Sequence, residues 1–579
     1  MTTDEMNGGK LIGEVLAKQG VKFLYTLCGG HISPILIGAE KEGVKIIDVR
    51  HEATAVFAAD ATARLTGVPG VAAVTAGPGL TNTITAIKNA QMAQSPVVIM
   101  GGAAATILKG RGALQDIDQL SLVKPIVKWS GSAKKVKELV PLLEKAFEMA
   151  QTGVPGPVFL EVPLDLLYPR SIVEEMMLDG TGGGIGGKVL GLYLSNHMRR
   201  LFKDAWSVRA SNHKTYVSPI PKPNELEKVL SKLKSAQKPV LIVGSQATLE
   251  ANQTQALQDA VLKLGMPTFL SGMARGLLGR NDLHIRHKRS KALREADVIM
   301  MAGVPADFRM GYGRSIPRKA THIGINRSKE DLNLNKKPDI GVIADAGKFL
   351  RMLAENWEAG TQEQWLDWTT TLQARNAERD MEIQGRADEP TEYVNPVWVA
   401  KQLEEVVDEQ SVIIGDGGDF VATASYIVRP RGPLTWLDPG AFGTLGAGGG
   451  FAVASKACRP DSEIWLLYGD GSAGYTLAEF DTMARHGLPV IAIIGNDASW
   501  AQIARDQVIF LGSSLGTDLV RTNYHLVAEG YGGVGFCVQK PEELLPALQD
   551  AKVAARNGRP ALVNIMIGKT DFRKGSISI

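Results

Sequence analysis

The sequence predicts an α/β protein built from three doubly wound parallel-sheet domains. Two observations carry this. Short apolar runs of strand length alternate with helical patterns along almost the whole chain, which is the rhythm of βαβ units. Two polar or Gly/Pro-rich stretches interrupt that rhythm and divide it into three blocks of similar size. The length of 579 residues agrees, since it suggests roughly three to four ordinary domains. A hydrophobic content of 44% supplies a core for each block.

The first block covers residues 1–170. Its strands are expected at Phe23–Leu27, Lys45–Val49, Val71–Thr75, Val97–Met100 and Val158–Val162, with helices between them such as the Ala-rich Ala53–Leu65. Residues 171–222 form a linker. Gly180–Gly187 reads as a flexible spacer and Pro219–Pro223 as a stiff one. Between them Val189–Trp206 reads as an amphipathic basic helix, with Leu190, Tyr193, Leu194, Leu201, Phe202 and Trp206 apolar and Arg199, Arg200 and Lys203 charged. Such a helix either packs on its own protein or touches a membrane surface or an acyl chain. The central block, 223–360, has strands at Pro239–Gly244, Asp297–Gly303 and Thr321–Ile325. A polar linker over 361–392 leads to the third block, 393–579.

Charge and cysteines narrow the function classes. A net charge of +3 is close to balance for 64 basic and 61 acidic residues, so no nucleic-acid partner is expected. The three cysteines are far apart and form no CxxC pair, which suits a reducing compartment and a non-redox enzyme. The N-terminus is polar and lacks the apolar core of a signal peptide, and no run of ~18 apolar residues occurs. The chain as it stands is expected to be cytoplasmic.

The third block holds the most informative segment. Glu463–Tyr468 reads as a strand, Gly469–Gly474 as a Gly-rich turn opening a helix at Tyr475–Arg485, and Pro489–Gly495 as a second strand ending at Asn496–Asp497. Backbone N–H groups at Gly471, Ser472 and Ala473 can cradle phosphate oxygens at the helix start. Asp470 and Asp497 can supply hard oxygen ligands to Mg2+.

This segment resembles the cofactor motif of thiamin diphosphate enzymes, in which GDG is followed by a pair of Asn. The resemblance puts the second Asn, a metal ligand, on Asp497, 27 positions after Asp470, and a backbone carbonyl ligand on Ser499. Asp in place of Asn keeps an oxygen and adds charge. Three α/β blocks in this order resemble the acetolactate synthase group, with pyrimidine-binding, central and diphosphate-binding domains. The resemblance then implies further residues. Glu52, in the RHEA segment after the strand Lys45–Val49, protonates the cofactor's pyrimidine ring. Leu445, in Gly443–Gly446, is the bulky pivot that bends the cofactor. Gly417, in Gly415–Asp419, lies along the diphosphate. The turn Thr75–Asn82 faces the site, with Gly77 setting the backbone and Asn82 opening a helix as its cap. Gln115 faces the substrate, flanked by Leu114 and Asp116 in place of Phe and Glu. His31, in Gly29–His31, departs from the acetolactate synthase pattern and is a candidate for orienting or protonating substrate. Trp500 and Gln502 are further candidates for lining the site. No adjacent His–His pair occurs, so a pyruvate decarboxylase-type site is not expected.

The segments GGHISP, RHEATAVFAADATARL, TAGPGLTN, RGALQDIDQLSL, GDGGDF, GNDASW and TDFRKGSI together resemble the 2-hydroxyacyl-CoA lyase subgroup of animals. That implies thiamin diphosphate and Mg2+ as cofactors and an acyl-CoA as substrate. The reaction implied is cleavage of a 2-hydroxy long-chain acyl-CoA between C1 and C2, giving formyl-CoA and an aldehyde one carbon shorter. It also implies a homodimer or homotetramer, with Glu52 of one chain meeting Asp470 of another. Animal relatives are anchored at the endoplasmic reticulum through an N-terminal segment that is not present here. Two alternatives stand beside this reading. One is a 2-oxoacid decarboxylase or carboligase of acetolactate synthase type. The other is a non-catalytic scaffold, against which intact Glu52 and Asp470 argue.

Overall fold

A computed structural model describes residues 5–178, 184–214, 216–358 and 360–575. The chain divides into two compact units, residues 1–63 with 68–217 and residues 64–67 with 218–579. Every strand of the three sheets below pairs parallel with its neighbours.

The first unit holds one six-stranded sheet. Its strands are β1 (Phe23–Thr26), β2 (Lys45–Asp48), β3 (Gly70–Val74), β4 (Val97–Ala103), β5 (Trp129–Ser132) and β6 (Val158–Pro163), in the order β2-β1-β3-β4-β6-β5. The chain runs outward from β1 to β2 and then crosses back to β3, so the order reverses between β1 and β3. Ligands of open α/β sheets bind at such a switch point, beyond the carboxyl ends of the strands. Helices α1 (Gly8–Lys18) and α2 (Ser33–Lys41) cover one face. They meet backbone to backbone, because a Cβ at Gly13 would strike the Gly38 carbonyl and one at Gly38 the Gly9 carbonyl. Helix α3 (Glu52–Thr66) follows β2.

The helix expected at 189–206 is α4 (Ile185–Leu201), starting earlier and ending at the C-cap Phe202. Leu194, Met198 and Leu201 are buried, whereas Leu190 and Tyr193 are exposed rather than part of the packed face. Half of the Gly-rich spacer expected at 180–187 lies outside the described residues, and residues 185–187 belong to α4 rather than to a spacer.

The second unit holds two sheets. The central one comprises β7 (Pro239–Val243), β8 (Thr268–Leu270), β9 (Val298–Ala302), β10 (Thr321–Asn326) and β11 (Ile340–Ile343), in the order β11-β10-β9-β7-β8. The region read as a polar linker, 361–392, is mostly one helix, α5 (Leu366–Ala387). Two tryptophans at its start fix it to the central sheet. Trp365 donates to the Ala236 carbonyl at 2.9 Å and Trp368 to the Pro239 carbonyl at 3.1 Å. The last sheet comprises β12 (Val412–Gly415), β13 (Trp436–Leu437), β14 (Ile464–Gly469), β15 (Ile491–Asn496), β16 (Val534–Val538) and β17 (Ala561–Met566). Its order, β13-β12-β14-β15-β17-β16, reverses between β12 and β14.

The glycine contact between α1 and α2 gives the fold's clearest test. Gly13→Leu should force the two helices apart and lower the stability of the first unit by about 1–3 kcal/mol, read as a lower urea midpoint. An unchanged midpoint would show that the close approach is not needed.

Candidate cofactor and active site

In the first unit the switch point gathers the turns after β1 and β3. Gly29 sits so close to Thr75 that a Cβ would lie 2.5 Å from the Thr75 Cβ. This brings His31 beside the next turn, with its Nδ1 3.2 Å from Thr75 Oγ1. Burial holds the His31 imidazole below the usual histidine value, so it is neutral near pH 7. Glu52 is the first residue of α3 and only 7% exposed. Its Oε2 accepts a hydrogen bond from Asn82 Nδ2 at 2.9 Å. Asn82 is therefore not the helix-opening cap the sequence suggested. A short helix, Pro78–Thr81, ends at Asn82, and the next runs Ile84–Ala93. The amide is directed to Glu52 instead.

Gly77 has φ +61°, a left-handed conformation that favours glycine. Its N–H donates to Gln119 Oε1 at 3.2 Å, and Gln119 Nε2 donates to the Gly102 carbonyl at 3.0 Å and to Glu161 Oε1 at 3.2 Å. Glu161 is fully buried and also accepts from Ser132 Oγ at 2.7 Å and from Lys109. Gln115 has φ +64°, strained for a residue with a side chain, and its carbonyl lies against Gly77. Sequence reasoning singled out Gln115 and missed Gln119. Both sit in the segment RGALQDIDQLSL, but no local signal marks a glutamine that acts through a buried carboxylate.

In the second unit the switch point lies between Gly417, after β12, and Gly469, at the end of β14. Gly418 has φ +114° and crosses within reach of Gly469, whose N–H donates to the Gly417 carbonyl at 3.0 Å. Asp416 is buried and accepts from the N–H groups of Gly446 at 3.0 Å and Gly448 at 2.8 Å. The loop so held carries Leu445, which rests on Gly417: a Cβ there would collide with Leu445 Cδ2.

Asp470 opens a short helix, Asp470–Ala473, and the expected helix at 475–485 begins only at Glu479. Its Oδ1 accepts from the Gly471 N–H at 2.9 Å and its Oδ2 from the Ser499 N–H at 3.2 Å. Ser472 Oγ donates to the Gly417 carbonyl at 2.9 Å, and Ala473 is buried. The Trp500 ring covers Gly471, where a Cβ would lie 2.6 Å from it. Register sets Gly469 of β14 opposite Gly495 of β15, so Asp470 and Asp497 leave adjacent strand ends one residue apart in level. Asn496, the first residue of the pair, is structural: its Nδ2 donates to Asn564 Oδ1 and the Thr522 carbonyl, both at 3.2 Å. Ala498 has φ +55°, and this strained turn joins Asp497 to Ser499.

Asp497 and Ser499 line a cavity of about 310 Å³, together with Asp419, Thr423, Arg505 and Lys569. Asp419 opens helix α6 (Asp419–Ile427) and is ion-paired with Arg505. Arg505 belongs to α8, with α7 (Gly448–Cys458) and α8 (Ala501–Leu511) completing this region. Burial pushes the Asp470 carboxyl up to about 6. Asp497 is pushed up to about 7 by burial, then by the charges of Asp470 and Asp419. Two buried carboxylates whose charged forms are disfavoured by burial are suited to a cation beside them. Ser499 Oγ is buried with no hydrogen-bond partner among the described residues. The donor set is all hard oxygen, which fits Mg2+ beside a diphosphate. Trp500 covers Gly471 and the cations Arg505 and Lys569 line the cavity, whereas Gln502 is not among its lining residues.

Residues 6–122, 226–353 and 416–565 match, in turn, the N-terminal, central and C-terminal domains of thiamine pyrophosphate enzymes, the first and last described as TPP-binding. Fold and site define a thiamin diphosphate-dependent enzyme, with Mg2+ as the partner metal. The chain is 50% identical to "2-hydroxyacyl-CoA lyase 2" of Danio rerio over 99% of its own length and 93% of the relative's. The protein of the same name from Homo sapiens is 48% identical over 99% and 92%. The chain thus belongs to the thiamine pyrophosphate enzyme family, in the group of proteins named 2-hydroxyacyl-CoA lyase 2. The solved structure of the Rhodococcus jostii RHA1 thiamine diphosphate-dependent 4-hydroxybenzoylformate decarboxylase shares the fold. It has a TM-score of 0.76 and 19% identity, and the match covers 98% of this chain and 100% of that one.

A pH dependence follows from the two raised carboxyls. Unfolded, Asp titrates near 3.9. A raised folded value gives a stabilising contribution that is complete below the unfolded value and is lost as pH rises through about 6 and about 7. Bound Mg2+ pairs with the charged forms and removes that loss. The gain in Tm on adding Mg2+ and thiamin diphosphate should therefore be larger at pH 8 than at pH 5.5. An equal gain at both would show that Asp470 and Asp497 do not hold the metal.

Proposed function

We propose that the protein cleaves 2-hydroxyacyl-CoA thioesters between C1 and C2, releasing an aldehyde one carbon shorter and formyl-CoA. The observation that carries this reading is His31, a neutral imidazole fastened to Thr75 in the unit that also holds Glu52. The chain's near-50% identity to proteins named for this reaction supports it. Bound thiamin diphosphate supplies an electron sink for the carbon–carbon cleavage. Glu52, oriented by Asn82, holds and passes the proton at the pyrimidine ring. Asp470, Asp497 and the Ser499 carbonyl would hold Mg2+, and the N–H groups of Gly471, Ser472 and Ala473, with the Gly417 turn, would hold the diphosphate. Leu445, resting on Gly417, would pack against the bound cofactor. His31 accepts the 2-hydroxyl proton as C2 becomes the aldehyde carbon, and Gln115, on its strained turn over Gly77, orients that hydroxyl. The electron pair of the broken bond stays with C1, which takes up a proton and leaves as formyl-CoA. No external oxidant or reductant is needed.

We further propose a homodimer, or a homotetramer of such dimers, whose sites each take Glu52 from one chain and Asp470 from another. Helix α8 supports this: none of its residues is buried, and Ile509, Phe510 and Leu511 are 67%, 72% and 76% exposed. An apolar helix on a soluble surface needs a cover.

Incubation with 2-hydroxyoctadecanoyl-CoA, Mg2+ and thiamin diphosphate should yield the odd-chain aldehyde and formate from hydrolysed formyl-CoA. Glu52→Gln should abolish the product, and His31→Ala should lower kcat by about 10²–10⁴. Carbon dioxide from pyruvate with no aldehyde would move the assignment to the decarboxylase or carboligase class. Mixing inactive Glu52→Gln and Asp470→Asn proteins tests the shared site. Random re-association of dimers should restore about a quarter of wild-type activity, since half are hybrids with one intact site. No recovery, with exchange verified by native mass spectrometry, would place Glu52 and Asp470 of each site in one chain.

A further inference from the structure

Helix α4 has two distinct faces. Leu194, Met198 and Leu201 are buried, and Met198 and Leu201 join the core of the first unit, so the helix is a fixed part of that unit. The opposite side is uncovered. Ile185, Val189, Leu192 and Tyr193 are 86%, 62%, 74% and 56% exposed. Helical periodicity puts these residues on one side. The next turns of that same side present Arg199 and Arg200, and Lys203 follows just past the C-cap. No acidic residue occurs between 185 and 203. Arg199 donates to the neutral Asn196 Oδ1 at 3.2 Å, and among the described residues Arg199, Arg200 and Lys203 form no ion pair with a carboxylate. Met176, on the adjoining helix Arg170–Leu178, is also 60% exposed. Of the acids on the flanking segments, Glu174 pairs with Arg170 at 2.8 Å and Asp204 with Lys137 at 3.4 Å, while Glu175 is exposed beside Met176.

We propose that this face docks the protein on an anionic bilayer surface. The stripe Ile185, Val189, Leu192 and Tyr193 enters the boundary between headgroups and acyl chains, and Arg199, Arg200 and Lys203 meet lipid phosphates. Charge selects this occupant. A second copy using the same patch would offer these cations no carboxylate, since none occurs between 185 and 203. An anionic surface instead neutralises them, and apolar contact alone would not require the basic end. The last-turn arginines also suit the helix dipole, but that accounts for neither Lys203 nor the exposed stripe.

Sedimentation of the full chain with vesicles tests this directly and does not depend on the lyase reading. The protein should bind phosphatidylcholine vesicles containing phosphatidylserine and bind pure phosphatidylcholine at least about tenfold more weakly. Val189→Glu/Leu192→Glu should lose the binding, and Arg199→Glu/Arg200→Glu should weaken it by at least about tenfold. Both variants should keep the wild-type far-UV spectrum and oligomeric state. Equal binding to both vesicle types, or unchanged binding by either variant, would overturn the proposal. Dissociation of an oligomer by Val189→Glu/Leu192→Glu would show instead that the face is a subunit contact.

Discussion

Asp416 accepts backbone hydrogen bonds from Gly446 and Gly448 inside the last domain, with its carboxyl pushed up to about 7 by burial. Most of the candidate cofactor cradle hangs on this contact. The two N–H groups fix the loop on either side of Leu445, and Leu445 can lie down only because its neighbour across the gap is Gly417. Gly417 in turn offers its carbonyl to Gly469 and to Ser472, which fixes the turn that starts at Asp470. A buried carboxylate left without partners would cost several kcal/mol. The sequence therefore has little freedom here: the acid needs both N–H groups, and the chain must bend as they require.

The first and last sheets share one six-stranded order, the five-stranded central sheet shares their first reversal, and the three put it to different uses. Each reverses its strand order after its second strand, and the carboxyl ends of the strands flanking that reversal form a crevice. In the first sheet the crevice holds His31 and the Thr75–Asn82 turn. In the last it holds Gly417, Gly469 and the two carboxylates. The central sheet reverses between β7 and β9, and there the chain's own side chains occupy the strand ends. Gln246 donates to Asp331 at 2.8 Å and accepts from Asn326 at 2.5 Å, while a Cβ at Gly244 would meet the Gly303 carbonyl at 2.5 Å. One architecture thus yields two open crevices and one that is knitted shut by its own amides.

What was legible in the sequence follows from where apolar runs must be continuous. Interior strands of a parallel sheet are buried on both faces, so Val97–Met100, Pro239–Val243 and Ile464–Tyr468 stand out as unbroken apolar runs. In the first two sheets the strands without a signal were β5, β8 and β11, and all three lie at sheet edges. Trp129–Ser132 is half-buried throughout, and Ile340–Ile343 alternates in exposure, so neither reads as a core strand. The region taken as a polar linker at 361–392 hid a helix for a related reason: its anchoring residues are two tryptophans at one end, followed by a solvated surface. At the site, residues inside Gly-rich turns were readable because the turn itself is a signal. Gln119 and Arg505 were not, and Asp416 lies in such a turn yet its role stayed hidden, since each acts through partners more than ten residues away.

The charge balance of the metal region shows the same long-range logic. Asp497 brings a carboxylate where the family pattern has a neutral amide, and Asp419 adds a further acid to the same cavity wall. Alone, this clustering would oppose a diphosphate as well as itself. The chain sets cations against it from two distant segments. Arg505, on the helix directly after Ser499, ion-pairs with Asp419 and donates to the Arg573 carbonyl at 2.8 Å. Lys569, just past β17, opposes the rise of the Asp497 carboxyl. The substitution at 497 is thus one part of a rearranged set of charges. Its effect on ligand binding is inseparable from Asp419, Arg505 and Lys569, which is why the motif read on its own could not say whether the change was tolerated.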